Sequence, residues 1–353
     1  MKRLDALACQ DISFLGKEVK EILTRGGIVA LPTETVYGLA VLPTNKSAVE
    51  RLYQIKHRDS NKPFSLHIPD VEKALSFLSV LPPYGYRLLE KYWPGPLTIV
   101  YYSKEGEKIG VRVPDHKILA EILRVVGSPV YLPSANLSGE KEAVSAKEVE
   151  EKFDGNIDLI VDAGPPVYFK PSTVIDLTYH PFKILREGAI SVKEIVDIYV
   201  KKRIVFVCTG NTCRSVMGEH LLKKYLSEYN PHTFQRYEII SRGLHPLEGS
   251  PLSPAVAEIL KREEGIVLED HKSKRLDRKT ILSSDLVFTM SDVQKEHIVK
   301  LEPTSEPRVF CLKKFLPLDM EKDIPDPMGK PYEVYFQVYE LIKKAILELR
   351  DWL

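Results

Sequence analysis

A cysteine and an arginine in one short loop carry the clearest chemical signal in this sequence. Cys208 ends the apolar run 204–207, and Arg214 begins a segment whose apolar residues recur at helical spacing. The pattern predicts a strand, a tight loop and a helix. Because backbone N–H groups and the positive end of a helix converge in such a loop, we expect it to bind an oxyanion such as phosphate.

The same loop supplies the groups for a reaction at phosphorus. Its positive field favours the thiolate of Cys208, which is the nucleophilic form of cysteine. The planar guanidinium of Arg214 can bind two phosphate oxygens, and the hydroxyl of Ser215 can reach back to the sulfur. This combination predicts thiol-based phosphoryl transfer.

Phosphoryl transfer to a thiolate also needs an acid for the leaving group and later a base for water. The candidate is Asp326, in the proline-rich segment 323–329. Asp323 and Asp326 are alternatively ordinary turn residues. The presence of Cys208 and Arg214 favours the catalytic interpretation of Asp326.

Length and composition describe an ordinary globular protein. The chain has 353 residues, 44% of them hydrophobic and 28% charged, with a net charge of +1. This length predicts two domains, which we place at residues 1–200 and 201–353. We see no membrane-spanning run and no leader at the N-terminus, so we expect a cytoplasmic protein without an overall attraction to nucleic acid or membrane.

The four cysteines predict neither a disulfide framework nor a zinc site, because they are scattered along the chain. Cys208 and Cys213 share one loop, so a reversible disulfide between them is one interpretation of Cys213. A small buried loop residue is the other.

The first 190 residues contain polar segments at the ends of predicted strands. The segment 32–39 carries two threonines, a glutamate and a tyrosine, which indicates either a small-molecule pocket or a capped turn. The segment 56–62 carries three cations at a helix end, which suits either a triphosphate or a solvated helix terminus. The segment 133–139 is rich in hydroxyl and amide groups, which suits a ligand-binding loop or an ordinary turn.

The order of these segments is more specific than any one of them. From residue 10 to 198 the chain resembles the YrdC family of threonylcarbamoyl-AMP synthases, in the motifs 32–39, Lys56-x-Arg58, 93–98, 111–114, 133–139, 172–176 and 186–190. The resemblance implies a twisted open sheet with helices around a concave surface. It also implies synthesis of threonylcarbamoyl-AMP from L-threonine, bicarbonate and ATP, for a tRNA modification that downstream enzymes complete.

The resemblance assigns two groups of binding residues. Those it places around ATP are Lys56, Arg58, Lys62, Ser134, Asn136 and Arg186. Those it places around threonine are Thr33, His67, Arg112 and Ser172, with the threonine carboxylate on Arg112. A polyanionic nucleotide and a carboxylate both need nearby cations, which agrees with this set. We expect Mg²⁺ to arrive with ATP, because the sequence shows no acidic cluster to bind it alone.

From residue 203 onward, strands and helices alternate, which predicts a doubly wound parallel sheet with Cys208 at the C-terminal end of a strand. This half resembles the low-molecular-weight protein tyrosine phosphatase family in its Cys-x5-Arg-Ser loop and its distant Asp-Pro pair. The resemblance implies a cysteinyl-phosphate intermediate on phosphorylated protein substrates. The residues it assigns to catalysis are Cys208, Asn211, Thr212, Arg214, Ser215 and Asp326.

Thr212 is the residue on which the predicted substrate depends. Many tyrosine phosphatases of the family carry an aliphatic residue there, and a threonine is similar to the branch that hydrolyses phosphoarginine. The sequence therefore leaves phosphoarginine and phosphotyrosine both open.

The leading hypothesis is a bifunctional enzyme that joins the synthase to the phosphatase. A second hypothesis keeps the phosphatase and makes the first domain a non-catalytic module that binds RNA or nucleotide. A third, an arsenate reductase, ranks low because Cys311 is single and distant in sequence from Cys208.

Overall fold

The computed structural model describes residues 2–9, 11–317 and 322–353. It divides into two compact units. One comprises the residues up to Leu81 together with Leu88–Val196, and the other comprises Pro82–Arg87 together with Asp197–Leu353.

The first half of the chain contains ten strands and seven helices in its described residues. The strands are β1 Lys2–Asp5, β2 Val29–Leu31, β3 Gly38–Ala40, β4 Ser65–His67, β5 Leu97–Tyr102, β6 Lys108–Arg112, β7 Val130–Tyr131, β8 Leu159–Asp162, β9 Thr173–Asp176 and β10 Lys183–Arg186. The helices are α1 Ile12–Thr24, α2 Lys46–Ile55, α3 Val71–Phe77, α4 Pro83–Tyr92, α5 Lys117–Val126, α6 Ala146–Phe153 and α7 Val192–Val200.

These strands form two sheets, with the orders β1-β8-β2-β3 and β10-β9-β5-β6-β4-β7. In the first sheet, alternate residues of β2 point to opposite faces, as the pleat of a strand requires. Val29 and Leu31 pack with α1 and α5, whereas Ala30 packs with α2 and α6. Both faces of this sheet are therefore buried, which explains why β2 reads as an unbroken apolar run.

Three helices of this half were not predicted from the sequence: α3, α4 and α6. For α6 a signal was present, because Ser145 accepts the N–H of Glu148 at 3.2 Å and the Glu148 carboxylate accepts the N–H of Val144 at 3.1 Å. A serine followed three residues later by a glutamate is a typical helix start. The helices α3 and α6 have only seven and eight residues, so their apolar pattern extends over about two turns.

The second half contains four strands and six α-helices in its described residues. The strands are β11 Lys202–Cys208, β12 Tyr237–Gly243, β13 Leu286–Thr289 and β14 Val309–Cys311. The helices are α8 Arg214–Tyr229, α9 Pro231–Phe234, α10 Pro254–Glu264, α11 Arg278–Ser283, α12 Asp292–Leu301 and α13 Tyr332–Trp352, with short 3-10 turns at Pro303–Arg308 and Leu312–Phe315.

All pairs in the β12-β11-β13-β14 sheet are parallel, which confirms the predicted α/β class with a parallel sheet. Alternate residues of β11 again enter different cores. Ile204 and Phe206 pack with α8, α10 and α13, whereas Val205 and Val207 pack with α11 and α12. Helices on both faces leave the ends of the strands as the open part of this sheet, and Cys208 lies at the C-terminal end of β11.

A buried carboxylate joins three helices of the second half. Glu264, at the end of α10, accepts hydrogen bonds from the hydroxyls of Tyr225 in α8 and Tyr339 in α13. Lys224 and Lys343 pair with it at 2.8 and 3.0 Å. Burial by itself would raise the pKa of Glu264, but these hydrogen bonds outweigh burial and lower the pKa to about 2.

No helix in the described part of the chain is long and apolar enough to cross a membrane.

We predict that Glu264→Gln lowers the free energy of unfolding of the second half by about 3 kcal/mol at pH 7, because it leaves two lysines and two tyrosines without their shared anion. The folded-state pKa of about 2 is below the ordinary 4.5, so this contribution is present above pH 4.5 and is lost as the pH falls toward 2. Hydrogen exchange of peptides from α8 and α13 in urea measures it.

The matched control is Glu263→Gln, which neutralises the neighbouring, more exposed glutamate of the Arg262 pair. It should change stability by less than about 0.5 kcal/mol. A deficit in Glu264→Gln that stays the same between pH 7 and pH 3 would contradict the role given to the ionised carboxylate.

Candidate active sites

The first candidate site is the loop between β11 and α8, with Cys208 at its start and Arg214 at its end. Cys208 is 2% exposed, and its Sγ lies 3.0 Å from the hydroxyl oxygen of Ser215. The backbone N–H of Asn211 donates to the same sulfur at 3.2 Å. One N–H donor and one hydroxyl that is able to donate thus lie against Sγ, which suits a thiolate.

Asn211 joins this loop to the rest of the second unit. Its φ of 55° is in the left-handed region, which asparagine tolerates better than most residues. Its Nδ2 donates to Ser215 at 3.1 Å and Ser241 at 2.9 Å, and its Oδ1 accepts the N–H of Lys274 at 2.9 Å. Nε2 of His271 lies 2.7 Å from its carbonyl, to which it can only donate. The loop is therefore held in shape before any ligand binds.

Ser241 and His271 are site residues that the sequence did not reveal. Ser241 lies in β12, where it is the register partner of Phe206 in β11. Its strand also carries Glu238 and Arg242, so a serine there gave no distinct signal. His271 comes from a segment without a motif, so only the folded chain could place it beside Asn211.

Arg214 and Asp326 lie together, as the predicted chemistry requires. Arg214 is 5% exposed; its Nη1 donates to the carbonyl of Ile324 at 3.1 Å, and its Nη2 pairs with a carboxylate oxygen of Asp326. Its Nε is buried without a hydrogen-bond partner among the described residues. A guanidinium with an unused donor beside a loop of N–H groups is suited to bind an oxyanion.

Thr212 is partly exposed between Asn211 and Cys213. Its Oγ1 lies 3.6 Å from Sγ of Cys213, and its carbonyl accepts the N–H of Ser253 at 3.1 Å. Cys213 is buried, and burial raises the pKa of its thiol. The interpretation of Cys213 as a redox partner stays a prediction.

The second candidate site is a cavity of about 690 Å³ in the first unit, on one face of the six-stranded sheet. Strand alternation explains its wall, since Thr98 and Val100 of β5 and Lys108, Gly110 and Arg112 of β6 point to the same face. The predicted residues that line it are Thr33, Arg58, Lys62, His67, Arg112, Ser134, Ser172 and Arg186. Distant parts of the sequence thus meet in one cavity.

Lys56 and Asn136 do not line this cavity in the described structure. Lys56 is 2% exposed, and its Nζ donates to the carbonyls of Ser134 and Asn136, the latter at 2.7 Å, and contacts Oδ1 of Asn136 at 3.4 Å. Burial and then the nearby charge of Arg58 lower the pKa of Lys56 to about 7. The visible role of Lys56 is to hold the segment 134–136; its predicted contact with phosphate stays a prediction.

Arg112 is buried in an ion pair. Its Nη2 lies 2.7 Å from a carboxylate oxygen of Glu34 and 2.8 Å from the hydroxyl of Thr35. Its Nε donates to the carbonyl of Gly95 at 3.2 Å. Thr33 accepts the N–H groups of Thr35 and Val36 on its hydroxyl, so it forms a turn and also lines the cavity. The two interpretations of the segment 32–39, a small-molecule pocket and a capped turn, are therefore compatible with each other.

His67 contributes a neutral ring to the cavity. Burial and the nearby Arg112 lower the pKa of His67 to about 3. Its Nδ1 lies 3.3 Å from the carbonyl of Ser65, which can only accept a hydrogen bond. The proton is therefore on Nδ1, and Nε2 is the free acceptor of the ring.

Two arginines complete the charged wall. Nε of Arg186 donates to the carbonyl of Ser172 at 3.0 Å, and its Nη2 lies 3.1 Å from the hydroxyl of Ser172. Arg58 donates to the carbonyl of Lys62 at 3.0 Å and lies 5.2 Å above the ring of Phe64. Lys108, which the sequence did not reveal, also lines the cavity and pairs with Asp176. Among the described residues, those that line the cavity include lysine, arginine, histidine and hydroxyl groups but no carboxylate.

Comparison with known proteins matches the two halves of the chain to two different families, as the sequence motifs do. The profile of the Sua5, YciO and YrdC family, described as telomere recombination, matches residues 21–188. The profile of low molecular weight phosphotyrosine protein phosphatases matches residues 203–353.

Two curated relatives match the first half. The threonylcarbamoyl-AMP synthase of Pyrococcus abyssi is 35% identical over 191 residues, which is 52% of this chain and 56% of that protein. The putative threonylcarbamoyl-AMP synthase of Methanocaldococcus jannaschii is 32% identical over 191 residues, which is 52% of this chain and 88% of that protein. The chain thus spans about half the length of the first of these relatives and most of the second.

Solved structures are similar to each half. Sua5 of P. abyssi, determined in complex with L-threonine, shares 21% identity and a TM-score of 0.51, over 98% of this chain and 97% of that one. This likeness shows the fold. The YwlE arginine phosphatase of Geobacillus stearothermophilus is 35% identical over 42% of this chain and 91% of its own, with a TM-score of 0.37. A low molecular weight protein tyrosine phosphatase of T. tengcongensis is 36% identical over 43% of this chain and 100% of its own, with a TM-score of 0.40.

The profile matches and the Methanocaldococcus relative agree with the two sites. The chain therefore belongs to the Sua5, YciO and YrdC family through its first half, and its residues 203–353 match the model of the low molecular weight phosphotyrosine protein phosphatase family.

Proposed function

We propose that this protein is a bifunctional enzyme. Its first domain, which we place at residues 1–200, forms threonylcarbamoyl-AMP from L-threonine, bicarbonate and ATP. Its second, residues 201–353, hydrolyses phosphorylated proteins. The observation that supports the first activity most is a cavity lined by cations and hydroxyls. For the second it is the contact of Asp326 with Arg214 at the loop of Cys208.

In the cavity, the charged side chains divide by what they would bind. Arg58, Lys62 and Arg186 supply positive charge for the triphosphate, and the hydroxyl of Ser134 belongs to the nucleotide side. Asn136 is assigned to the same side but does not line the cavity, and its Oδ1 accepts the Ser134 hydroxyl at 2.7 Å. Arg112, together with Thr33 and Ser172, binds threonine by its carboxylate and hydroxyl. The neutral His67 offers a hydrogen-bond acceptor on Nε2 toward the threonine side.

Mg²⁺ fits this site as a companion of ATP. Because the described residues of the cavity wall include no carboxylate, they offer none of the hard charged ligands that would hold Mg²⁺ alone. The phosphate oxygens would bind the ion, which supplies charge neutralisation, and Lys56 keeps the segment 134–136 in place beside them.

In the phosphatase domain, the sulfur of Cys208 attacks phosphorus while Arg214 and the loop N–H groups bind the remaining oxygens. The bond to the leaving group breaks, and Asp326 gives that group a proton. The Asp326 carboxylate then takes a proton from water, which attacks phosphorus. The S–P bond breaks, and phosphate leaves with the thiolate restored. Ser215 and Asn211 hold Sγ in position throughout.

We infer that phosphoarginine is the preferred substrate, with phosphotyrosine as the alternative. Thr212 supports this inference, since its hydroxyl is partly exposed at the edge of the loop and can orient the attacking water. The identity of 35% with an arginine phosphatase agrees with it, but the same half is 36% identical to a tyrosine phosphatase.

The partners follow from the two reactions. The first domain would pass its product to downstream tRNA-modification enzymes and would itself contact RNA. The second domain would act on phosphorylated proteins. ATP and tRNA are both available in the cytoplasm, where we place the protein.

We predict that the purified protein releases pyrophosphate from ATP only when L-threonine and bicarbonate are both present. Arg58→Ala should lower kcat/KM for ATP by about tenfold or more, because it removes a cation from a partly buried phosphate site. A coupled pyrophosphate assay with each substrate omitted in turn measures both effects.

The matched control is Arg25→Ala, at an exposed arginine in the same unit that pairs with Glu21. It should leave the rate unchanged. Binding of ATP without pyrophosphate release under any condition, undiminished in Arg58→Ala and Lys56→Ala, would instead support the second hypothesis of a non-catalytic binding module.

We predict a higher kcat/KM for peptides with phosphoarginine than for matched peptides with phosphotyrosine. Thr212→Val keeps the shape of the side chain but removes its hydroxyl, so it should lower phosphoarginine hydrolysis by about tenfold and phosphotyrosine hydrolysis by much less. Phosphate release from paired synthetic peptides measures the ratio, with Cys208→Ser as the inactive control. A wild-type preference for phosphotyrosine would remove the phosphoarginine assignment and leave the phosphatase in place.

A further inference from the structure

The carboxylate of Asp326 is held by a group that the substrate also needs. One of its oxygens pairs with Nη2 of Arg214, which under the proposed function must bind the phosphate oxygens. A bound phosphate dianion brings competing acceptors to the same guanidinium. The ion pair that now orients Asp326 is therefore weakened when Asp326 has to face the leaving group.

The segment that carries Asp326, residues 322–329, is also attached to the start of α12. The N–H of Ile324 donates to the carbonyl of Met290 at 2.9 Å, and Ile324 is 1% exposed. The N–H of Asp292 lies 3.3 and 3.4 Å from the two carboxylate oxygens of Asp323. Asp292 is the first residue of α12, so its N–H has no acceptor within the helix and lies at the positive end of the helix dipole.

Lys313 completes the attachment. Its Nζ lies 3.2 Å from a carboxylate oxygen of Asp323 and also pairs with Asp292, and its side chain is 19% exposed. The thiol of Cys311 lies 3.8 Å from the same oxygen of Asp323. The ligand atoms of Asp292, Cys311 and Asp323 are close enough to hold a metal ion, but the ammonium of Lys313 already supplies a positive charge between the two carboxylates. The cluster is thus an ion-pair clamp.

The start of α12 also contacts the loop that begins at Cys208. Nε2 of Gln294 donates to the hydroxyl of Thr209 at 3.2 Å, and Oε1 of Gln294 accepts the N–H of Met290 at 2.9 Å. Gln294 is 6% exposed. One helix end therefore contacts the loop of Cys208 on one side and the segment of Asp326 on the other.

We propose that Asp323 is a positioning residue for the acid step, fixed by Lys313 and the N–H of Asp292 so that Asp326 stays aimed at the leaving group once phosphate occupies Arg214. The proposal rests on the proposed phosphatase function. Asp323 does not touch the reacting atoms. It acts by fixing the position of the 322–329 segment relative to Cys208.

The test uses two aryl phosphates that differ in their need for an acid. Phenol has a pKa near 10 and leaves well only if it is protonated, whereas 2,4-dinitrophenolate leaves without a proton. In the full-length protein, Asp323→Asn and Lys313→Met should lower kcat/KM for phenyl phosphate by about tenfold. The value for 2,4-dinitrophenyl phosphate should change by less than about twofold, because its first step does not use Asp326.

Three further variants complete the test. Asp326→Asn should give the largest loss of kcat/KM on phenyl phosphate, and Lys313→Arg should recover most of the activity that Lys313→Met loses. Lys314→Met, at the exposed neighbouring lysine, should leave kcat/KM for both substrates unchanged. Equal losses on the two substrates, or no loss on phenyl phosphate, would overturn the positioning role. A wild-type protein that hydrolyses neither the aryl phosphates nor the phosphoarginine and phosphotyrosine peptides would instead overturn the phosphatase function itself.

Discussion

The burial of cationic side chains is the constraint on which both sites depend. Arg112, Arg214 and Lys56 are each at most 5% exposed. An unpaired charge in that position is costly, so each needs acceptors from the protein itself. Arg112 has Glu34, Arg214 has Asp326, and Lys56 has the carbonyls of the 134–136 segment. The two folds share no topology, yet they meet this requirement in the same way.

The kind of acceptor decides what each cation can do next. Glu34 is as deeply buried as Arg112, so this pair is part of the wall and keeps the guanidinium in one orientation. Asp326 is half exposed, so water can replace Arg214 as its partner, as the proposed phosphatase cycle requires. Carbonyl acceptors carry no net charge, which agrees with the lowered pKa of Lys56. A fixed support, an exchangeable partner and an anchor for a loop thus result from one physical requirement.

The loop between Cys208 and Arg214 shows how little conformational freedom such a site retains. Asn211 uses its N–H, its carbonyl and both ends of its carboxamide, and its backbone is in the left-handed region. Apart from Cys208 and Ser215, its partners come from β12 and from the 271–274 segment, which are remote in sequence. Preorganised donors cost no rearrangement when charge develops at phosphorus, which is how a small loop can favour a transition state.

The sequence by itself determined the parallel sheet of the second half and identified the candidate nucleophile, arginine and acid, because each of these depends on a local pattern. The apolar run before Cys208, the spacing to Arg214 and the proline-bounded Asp326 are readable without a fold, and the profile match to this half agrees. The polar motifs of the first half were readable as a series, but each alone was compatible with a turn. Short helices such as α3 and α6 were missed because their periodicity is too brief.

Only the tertiary structure decided which groups share contacts. It placed Ser241 and His271 on Asn211, Glu34 on Arg112, and Lys313 between Asp292 and Asp323. It also placed Lys56 behind the cavity, against the segment 134–136. These contacts join residues far apart in the chain through strand order and register. A sequence records which side chains are available, whereas the burial of a charge and the partner that compensates it exist only after the strands and helices have packed.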